Sequence, residues 1–349
     1  MMGKVCRISL IRASRLSIIG ASYNCRMSKK ILIVRTSSLG DLVHMLPAIS
    51  DIARHVPQAE IDWVVEENFA EIPAWHPAVH EVIRVAHRRW RKSWRASLPE
   101  RRALRETLAS RQYDVILDMQ ALMKSVWIVR QAKGTRHGLN WRSAREPLAS
   151  LFYDVRHKVE FWQPAVTRQR QLAASVFGYQ YEGEPDYGLQ GLTDGIEIGQ
   201  YAMIMPSASR DDKLWPESDW HAVFNRLQEH GLQLKLLSGN EQETQRARAL
   251  VADRETAEVL PRMGLTDVAR IMAGARVMVG LDSGLTHLSA GLGRPTIGIY
   301  KASTPVRTPL VSAAYTASLG ERGNAPSAET VLSALEQALA SGAQGRELA

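Results

Sequence analysis

The run ILIVR (31–35) is apolar until its last position, the pattern of a short strand buried on both faces of a parallel sheet. Leu42, Met45, Leu46 and Ile49 then recur at helical spacing and predict a helix over 42–55 with one core face. IDWVVEE (61–67), VIRV (82–85) and DVILDMQ (114–120) predict further strands, the last followed by a helix from about Ala121 to Lys133. Strands alternating with helices predict a parallel sheet covered on both sides.

The pattern then pauses and restarts. Residues 180–200 hold five Gly and one Pro and read as a linker. YAMIM (201–205) predicts a new first strand, and Pro216 and Glu217 open a helix running to about His230, since proline suits a first helical turn. LQLKLLSG (232–239), VMVGLD (277–282) and PTIGIY (295–300) predict three more strands. A last amphipathic helix runs from Ala328 to Ala340 with Ser327 placed to cap it. The chain therefore reads as two similar α/β halves, 27–190 and 197–320, with a C-terminal helix over 326–342. Ligands of such sheets bind at the carboxyl ends of strands, and two halves leave a cleft between them.

A length of 349 residues agrees with two domains. No apolar run approaches the ~18 residues of a membrane span. The first 26 residues look foreign to the rest: Arg12 and Arg15 interrupt what would have to be an apolar stretch of ~7–15 residues in a signal peptide. An upstream start, with Met27 opening the protein, fits better than a transit-like segment. Both cysteines, Cys6 and Cys25, fall in this extension, so from Met27 onward disulfides and thiolate metal sites are excluded and a reducing compartment fits.

Candidate chemistry gathers at strand ends. RTSSLGDLVHMLP (35–47) carries a lone carboxylate, Asp41, directly after the first strand; it reads as a helix-start residue or as a general base. VMVGL ends at Asp282, and Ser283, Gly284 and Leu285 offer backbone N–H groups at the start of the next helix, a site suited to a diphosphate, with His287 one turn in. An ordinary capped helix with a packed histidine is the alternative. MPSASRDDKLWPESDW (205–220) holds Arg210 and Lys213, and Lys213 could neutralise a phosphate; flanked by these cations, Asp211 and Asp212 read as a solvated charge run rather than a metal site. Glu243 lies just past another strand end, as a ribose ligand or an exposed helix-start residue. No GxGxxG, P-loop or GxSxG motif occurs, and histidine clusters with metal spacing are missing.

The net charge of +8 resides in one segment. Residues 84–105 hold nine Lys or Arg against one acid, Glu100, with Trp90 and Trp94 interleaved. Nucleic-acid binding, an anionic lipid headgroup and a plain solvated helix are all open here, the last weakened by repulsion between like charges one turn apart.

RTSSLGDLVHMLPA, DWVVEENFAEIPAWHPAV, HRRWRKSW, WRSAREPLASLFY, SRDDKLWPE and LDSGLTHLSAGLGRP, in that order, together resemble the heptosyltransferase I family of lipopolysaccharide biosynthesis, over nearly everything from Met27 on. The resemblance implies a GT-B fold, two Rossmann-like domains facing a cleft, acceptor domain first. It implies transfer of L-glycero-D-manno-heptose from ADP-heptose to a Kdo residue of Kdo-lipid A, with inversion, without metal or cofactor, on the cytoplasmic face of the inner membrane. In the family pattern Asp41 takes the general-base position, aided by Lys213. Ser209, Lys213, Glu243, Met263, Asp282, Ser283, Gly284 and His287 match the ADP-heptose site. Ser38, Arg88, Arg89, Arg91, Lys92, Lys124 and Arg145 match the acceptor side, meeting its acid and phosphate groups. Ala208 stands where the family often has a hydroxyl, and Ser283 replaces the usual threonine. The rivals are a sister enzyme adding a later heptose and, from another class, a nucleic-acid-binding protein using 84–105.

Overall fold

A computed structural model describes residues 30–207 and 210–344. The extension 1–26 and the positions Ala208 and Ser209 lie outside the described residues. The first half is a parallel sheet of β1 (Lys30–Val34), β2 (Glu60–Glu66), β3 (Val79–Val85), β4 (Gln112–Asp118), β5 (Lys133–Leu139) and β6 (Val155–His157), in the order β3-β2-β1-β4-β5-β6. The second is a parallel sheet of β7 (Tyr201–Met205), β8 (Gln233–Leu236), β9 (Ala257–Val259), β10 (Val277–Leu281), β11 (Thr296–Ile299) and β12 (Thr316–Leu319), in the order β12-β11-β10-β7-β8-β9. Counted within each half, the order is the same doubly wound one. The chain reverses direction across the sheet between β1 and β4, and again between β7 and β10. Those two switch points are where crevices open at the strand ends.

The central strands are as apolar and buried as their sequences imply: Ile31 to Val34 and Val277 to Leu281 have no measurable exposure, Gly280 included among the buried positions. The single helix expected over 42–55 is two helices, Leu39–Val43 and Leu46–His55. Pro47 explains the break, because it has no N–H to give the carbonyl of Val43 and its ring would collide with that turn. The expected apolar face survives, with Leu42, Met45, Leu46 and Ile49 fully buried. The helix expected to reach Lys133 stops at Val129, and Lys133 instead opens β5. The linker segment is packed rather than free: Leu189 and Leu192 are buried and the Tyr187 hydroxyl donates to the carbonyl of Val311.

The halves are joined by specific bonds as well as by a shared apolar core running from Ile33 and Leu42 to Met203 and Leu288. Glu71 of the first half caps the helix Leu265–Ala273 of the second, accepting from the backbone N–H of Leu265 (3.2 Å) and of Thr266 (2.8 Å). The N–H of Ala165 donates to the carbonyl of Arg307 at 2.8 Å. The start of helix Leu39–Val43 abuts the start of helix Gly284–Gly291. A Cβ on Gly284 would lie 2.7 Å from the backbone nitrogen of Gly40 and 2.4 Å from Leu39, so glycine is required for the two switch points to meet.

Candidate active site

At the first switch point, β1 ends and the backbone turns through Thr36 to Ser38 into the helix that carries Asp41. Oδ2 of Asp41 accepts from both the backbone N–H and the hydroxyl of Ser38, each at 2.9 Å. Oδ1 takes Nη2 of Arg35 at 2.8 Å, and Arg35 also donates to the carbonyl of Met119 at the end of β4. Burial alone would raise the Asp41 pKa, but the Arg35 guanidinium and the Ser38 bonds outweigh it and hold the carboxyl down at about 2. Asp41 is therefore an ionised carboxylate in a fixed orientation, with its side chain still 41% exposed.

The loop after β4 supplies the other wall. Gln120 accepts from the N–H and hydroxyl of Thr36 and donates to the carbonyl of Ser37, which ties the two strand-end loops together. Lys124 donates to the Ser37 hydroxyl at 2.7 Å, and burial holds its ammonium below the usual lysine range. Beneath them Asp118, fully buried, accepts from the N–H groups of Gln120 and Ala121 and from the hydroxyls of Ser125 and Tyr153. That network sets the loop shape.

At the second switch point, Asp282 directly follows β10. Its Oδ2 receives Nζ of Lys213 at 3.0 Å and the Ser303 hydroxyl at 2.5 Å, and its Oδ1 lies 3.4 Å from Nε2 of His287. Lys213 also donates to the Asp282 carbonyl at 2.9 Å. Burial opposes the charge on Asp282, but the bonds from His287 and Ser303 and the Lys213 ammonium prevail and hold its carboxyl well below the ordinary range. His287 packs edge-on against His44 of the first half, ring centroids 4.4 Å apart.

Between the halves, a cleft of about 420 Å³ is lined by Asp41, Arg35, Arg145, Arg168, Arg307 and Arg322, among others. Five guanidiniums surround one carboxylate, the electrostatics of a site for an anionic substrate that needs one base. Phe161 is held between Arg168 and Arg307, 5.1 and 4.4 Å from its ring centroid. A second cavity, about 450 Å³, shares Ser37 with the cleft and is lined by Arg88, Arg91, Lys124, Arg101 and the indoles of Trp90, Trp94 and Trp127.

Comparison with known proteins gives the family. Residues 101–336 match glycosyltransferase family 9 (heptosyltransferase). Lipopolysaccharide heptosyltransferase 1 of Escherichia coli (strain K12) is 45% identical over 284 residues, covering 79% of this chain and 89% of that one. The chain belongs to glycosyltransferase family 9, the heptosyltransferases. A solved structure of an E. coli heptosyltransferase with ADP-2-deoxy-2-fluoro heptose superposes with a TM-score of 0.81 at 40% identity, over 88% of this chain and 99% of that one. Lipopolysaccharide heptosyltransferase 2 of E. coli (strain K12) is 23% identical over 317 residues, 81% of this chain and 86% of that one, so the similarity favours the first type over the sister type.

Within this heptosyltransferase the expected residues do not all meet. Asp41, Ser38 and Arg145 belong to the cleft or its rim, and Arg88, Arg91 and Lys124 to the adjoining cavity. Arg89 points into a different groove, where Glu67 and Glu100 bind its guanidinium at 3.0 and 2.7 Å. Lys92 is exposed and lines neither cavity. Trp90 is buried, its Nε1 donating to Glu100 at 2.8 Å, so of the two expected surface indoles only Trp94 is exposed. Glu243 is a buried helix-start residue rather than an exposed one: it accepts from the Gly239 N–H and the Asn240 side chain and closes a capping box with Asn240. Met263 is half-buried against the shared core. Gly284 meets the first half at the helix start, and the Ser283 hydroxyl accepts from the Thr286 N–H. Ser209 lies outside the described residues.

Arg35, Gln120, Arg168, Arg307 and Arg322 are site residues the sequence reading missed. Arg35 alone had a local signal, a cation closing an apolar strand six positions before the lone acid. Among the described residues the group spaced to hold a metal ion is Asp62, His80 and Glu81. It sits on β2 and β3, away from both switch points, and Arg111 already occupies both carboxylates, bonded to Asp62 (2.9 Å) and Glu81 (2.6 Å).

Proposed function

We propose that the protein transfers L-glycero-D-manno-heptose from ADP-heptose to a Kdo residue of Kdo-lipid A, the first heptose of the lipopolysaccharide inner core, with inversion. The observation that carries this reading is the oriented, ionised Asp41 at the edge of an arginine-lined cleft, abutting the switch point that holds Lys213. The Asp41 carboxylate takes the proton of the acceptor hydroxyl, whose oxygen attacks the anomeric carbon from the face opposite the ADP. The bond from that carbon to the ADP oxygen breaks and the electron pair leaves on the diphosphate. Lys213 has three N–H donors, and Asp282 takes two; the third is free to meet the departing charge. Ser283 stands at a helix start on the same half, beside Asp282, whereas the buried Glu243 acts through the helix start it caps. Arg145 and the Arg88–Lys124 cavity supply cations for the acceptor's carboxylates and phosphates.

No metal enters this scheme: five guanidiniums and Lys213 provide the cationic charge. The acceptor is a lipid, so the protein works at an anionic membrane surface, peripheral on the cytoplasmic face of the inner membrane. Among the described residues no helix is long and apolar enough to cross a membrane. The test is an assay of purified protein with ADP-heptose and Kdo-lipid A. Heptose-extended lipid with inverted anomeric configuration is the expected product, and turnover persists in EDTA. A requirement for added magnesium would overturn the metal-free scheme, and absence of transfer would overturn the reading. ADP is expected to raise the melting temperature, whereas single-stranded or duplex nucleic acid is not.

A further inference from the structure

Beside the acceptor cavity lies an open groove of about 1020 Å³ that none of the steps above uses. Its walls are helix Leu98–Ala109 and helix Met123–Val129, with Phe152 of the turn Pro147–Phe152 at one end. Leu98 is 49% and Met123 41% exposed, and on the adjoining turn Leu148 and Leu151 are 56% and 57% exposed. Isolated exposed leucines need no explanation, but two large apolar side chains in one groove and two more on the turn that closes it do. The groove is basic as well: Arg101, Arg102, Arg105 and Arg130 line it. Glu106 offsets part of this charge through its pair with Arg102 at 2.9 Å. Apolar tips set among arginines are the chemistry of a surface that rests in the headgroup and acyl boundary of an anionic bilayer. The groove also adjoins the acceptor cavity, with Arg101 and Trp127 lining both.

We propose that this face seats the protein on an anionic bilayer, with Leu98, Met123 and Leu151 among the upper acyl carbons and Arg102, Arg105 and Arg130 on lipid phosphates. It rests on the reading above that the acceptor is a lipid, and names where that lipid's membrane lies. In this pose the acceptor cavity opens toward the bilayer, so a headgroup sugar can reach the cleft while its chains stay in the membrane.

The experiment is co-sedimentation of the full chain with vesicles of phosphatidylglycerol or of phosphatidylcholine. Wild type is expected to bind the anionic vesicles, to bind the neutral ones far less, and to be released as salt is raised. The doubly substituted Leu98→Asp, Met123→Asp protein is expected to bind anionic vesicles about tenfold or more weakly, with an unchanged thermal melt because both side chains are exposed. Arg102→Glu with Arg105→Glu is the second variant, expected to lose the preference for anionic vesicles. Both keep wild-type turnover on an acceptor stripped of its acyl chains. Wild-type-like vesicle binding by both variants would overturn the proposal, as would equal binding to neutral vesicles. A solution dimer that Leu98→Asp, Met123→Asp dissolves would assign the face to a second copy instead. Vesicle binding is read without turnover, so failure to transfer heptose strikes the functional reading and leaves this one to its own test.

Discussion

The two switch points share one topology and one device, a carboxylate held by a cation at a strand end, yet they are built for different work. Asp282 accepts three side-chain bonds, from Lys213, Ser303 and His287, and its side chain is 14% exposed. Asp41 likewise accepts three, one from Arg35 and two from Ser38, but it is 41% exposed and lines the cleft. A carboxylate shut away from solvent can orient its lysine; one open to the cleft can meet a substrate hydroxyl. On the proposed reading the same fold yields a donor clamp in one half and a base in the other, and the distinction lies in exposure rather than in ionisation.

The largest expected break of this comparison is Asp41→Asn. Asparagine keeps an oxygen for Ser38 and so keeps the helix start, but it cannot accept a proton. Turnover is expected to fall about 10²–10⁴-fold, with ADP-heptose affinity by calorimetry unchanged. If more than about a tenth of turnover survives, Asp41 is a capping residue and the base lies elsewhere. Lys213→Ala comes next and should strike both quantities. Donor affinity is expected to drop about tenfold or more, from the loss of a charged hydrogen bond, and turnover about 10²–10³-fold. Asp282→Asn sharpens the contrast, because it leaves the lysine in place but loosens it, so its effect on donor affinity should be smaller than that of Lys213→Ala. An equal or larger loss would make Asp282 a direct donor ligand.

How much of this was legible follows from where the information sits. The central strands could be read because burial on both faces leaves an unbroken apolar run, as in ILIVR and VMVGL. The edge strands Val155–His157, Ala257–Val259 and Thr316–Leu319 could not, being three or four residues long and partly exposed. β5 was hidden for another reason: KGTRHGL has two glycines, and at Gly138 the ring of Tyr153 fills the space a Cβ would need, 2.3 Å away. Asp41, Lys213 and Asp282 were legible because each closes or follows a strand locally. Arg168, Arg307 and Arg322 converge from separate segments, and no spacing along the chain announces that. The start at Gly284 was read as room for a diphosphate; the structure shows the same missing Cβ admitting Leu39 and Gly40.

Arg35→Ala is a subtler test of the first switch point. In the wild type, Asp41 stays ionised down to about pH 2, so the acid limb of kcat/KM lies below any practical assay. Without the guanidinium, burial is opposed by the Ser38 bonds and His44 alone, and the Asp41 pKa rises. Because the base must be ionised, activity is expected to decline as pH falls through that raised value, producing an acid limb absent from the wild type. A pH–rate profile of both proteins from about pH 4 to 8 checks this; superimposable acid sides would mean that Arg35 does not set the charge of Asp41.

The smallest effect is expected where the two sites touch. His287 has Asp282 as a partner, whereas the buried His44 packed against it has no hydrogen-bond partner for either ring nitrogen among the described residues. Burial and the neighbouring His287 hold the His44 pKa down at about 3, against 6.5 in an unfolded chain, although Asp41 and Asp282 pull the other way. A histidine kept neutral by folding contributes its full stability above the unfolded value and loses it as pH falls toward the folded one. At pH 5 that loss is about 2 kcal/mol. His76, His87 and His137 are lowered by burial to about 4 and titrate in the same direction, so the overall acid sensitivity is shared. His44→Leu isolates one share. At pH 7 it removes two unpaired polar atoms and one ring contact, a net change within about 1 kcal/mol. Between pH 7 and pH 5 the variant should lose about 2 kcal/mol less than the wild type in urea unfolding. Equal losses in the two proteins would mean that His44 meets water at the junction, and that the halves are not closed there as the glycine pair implies.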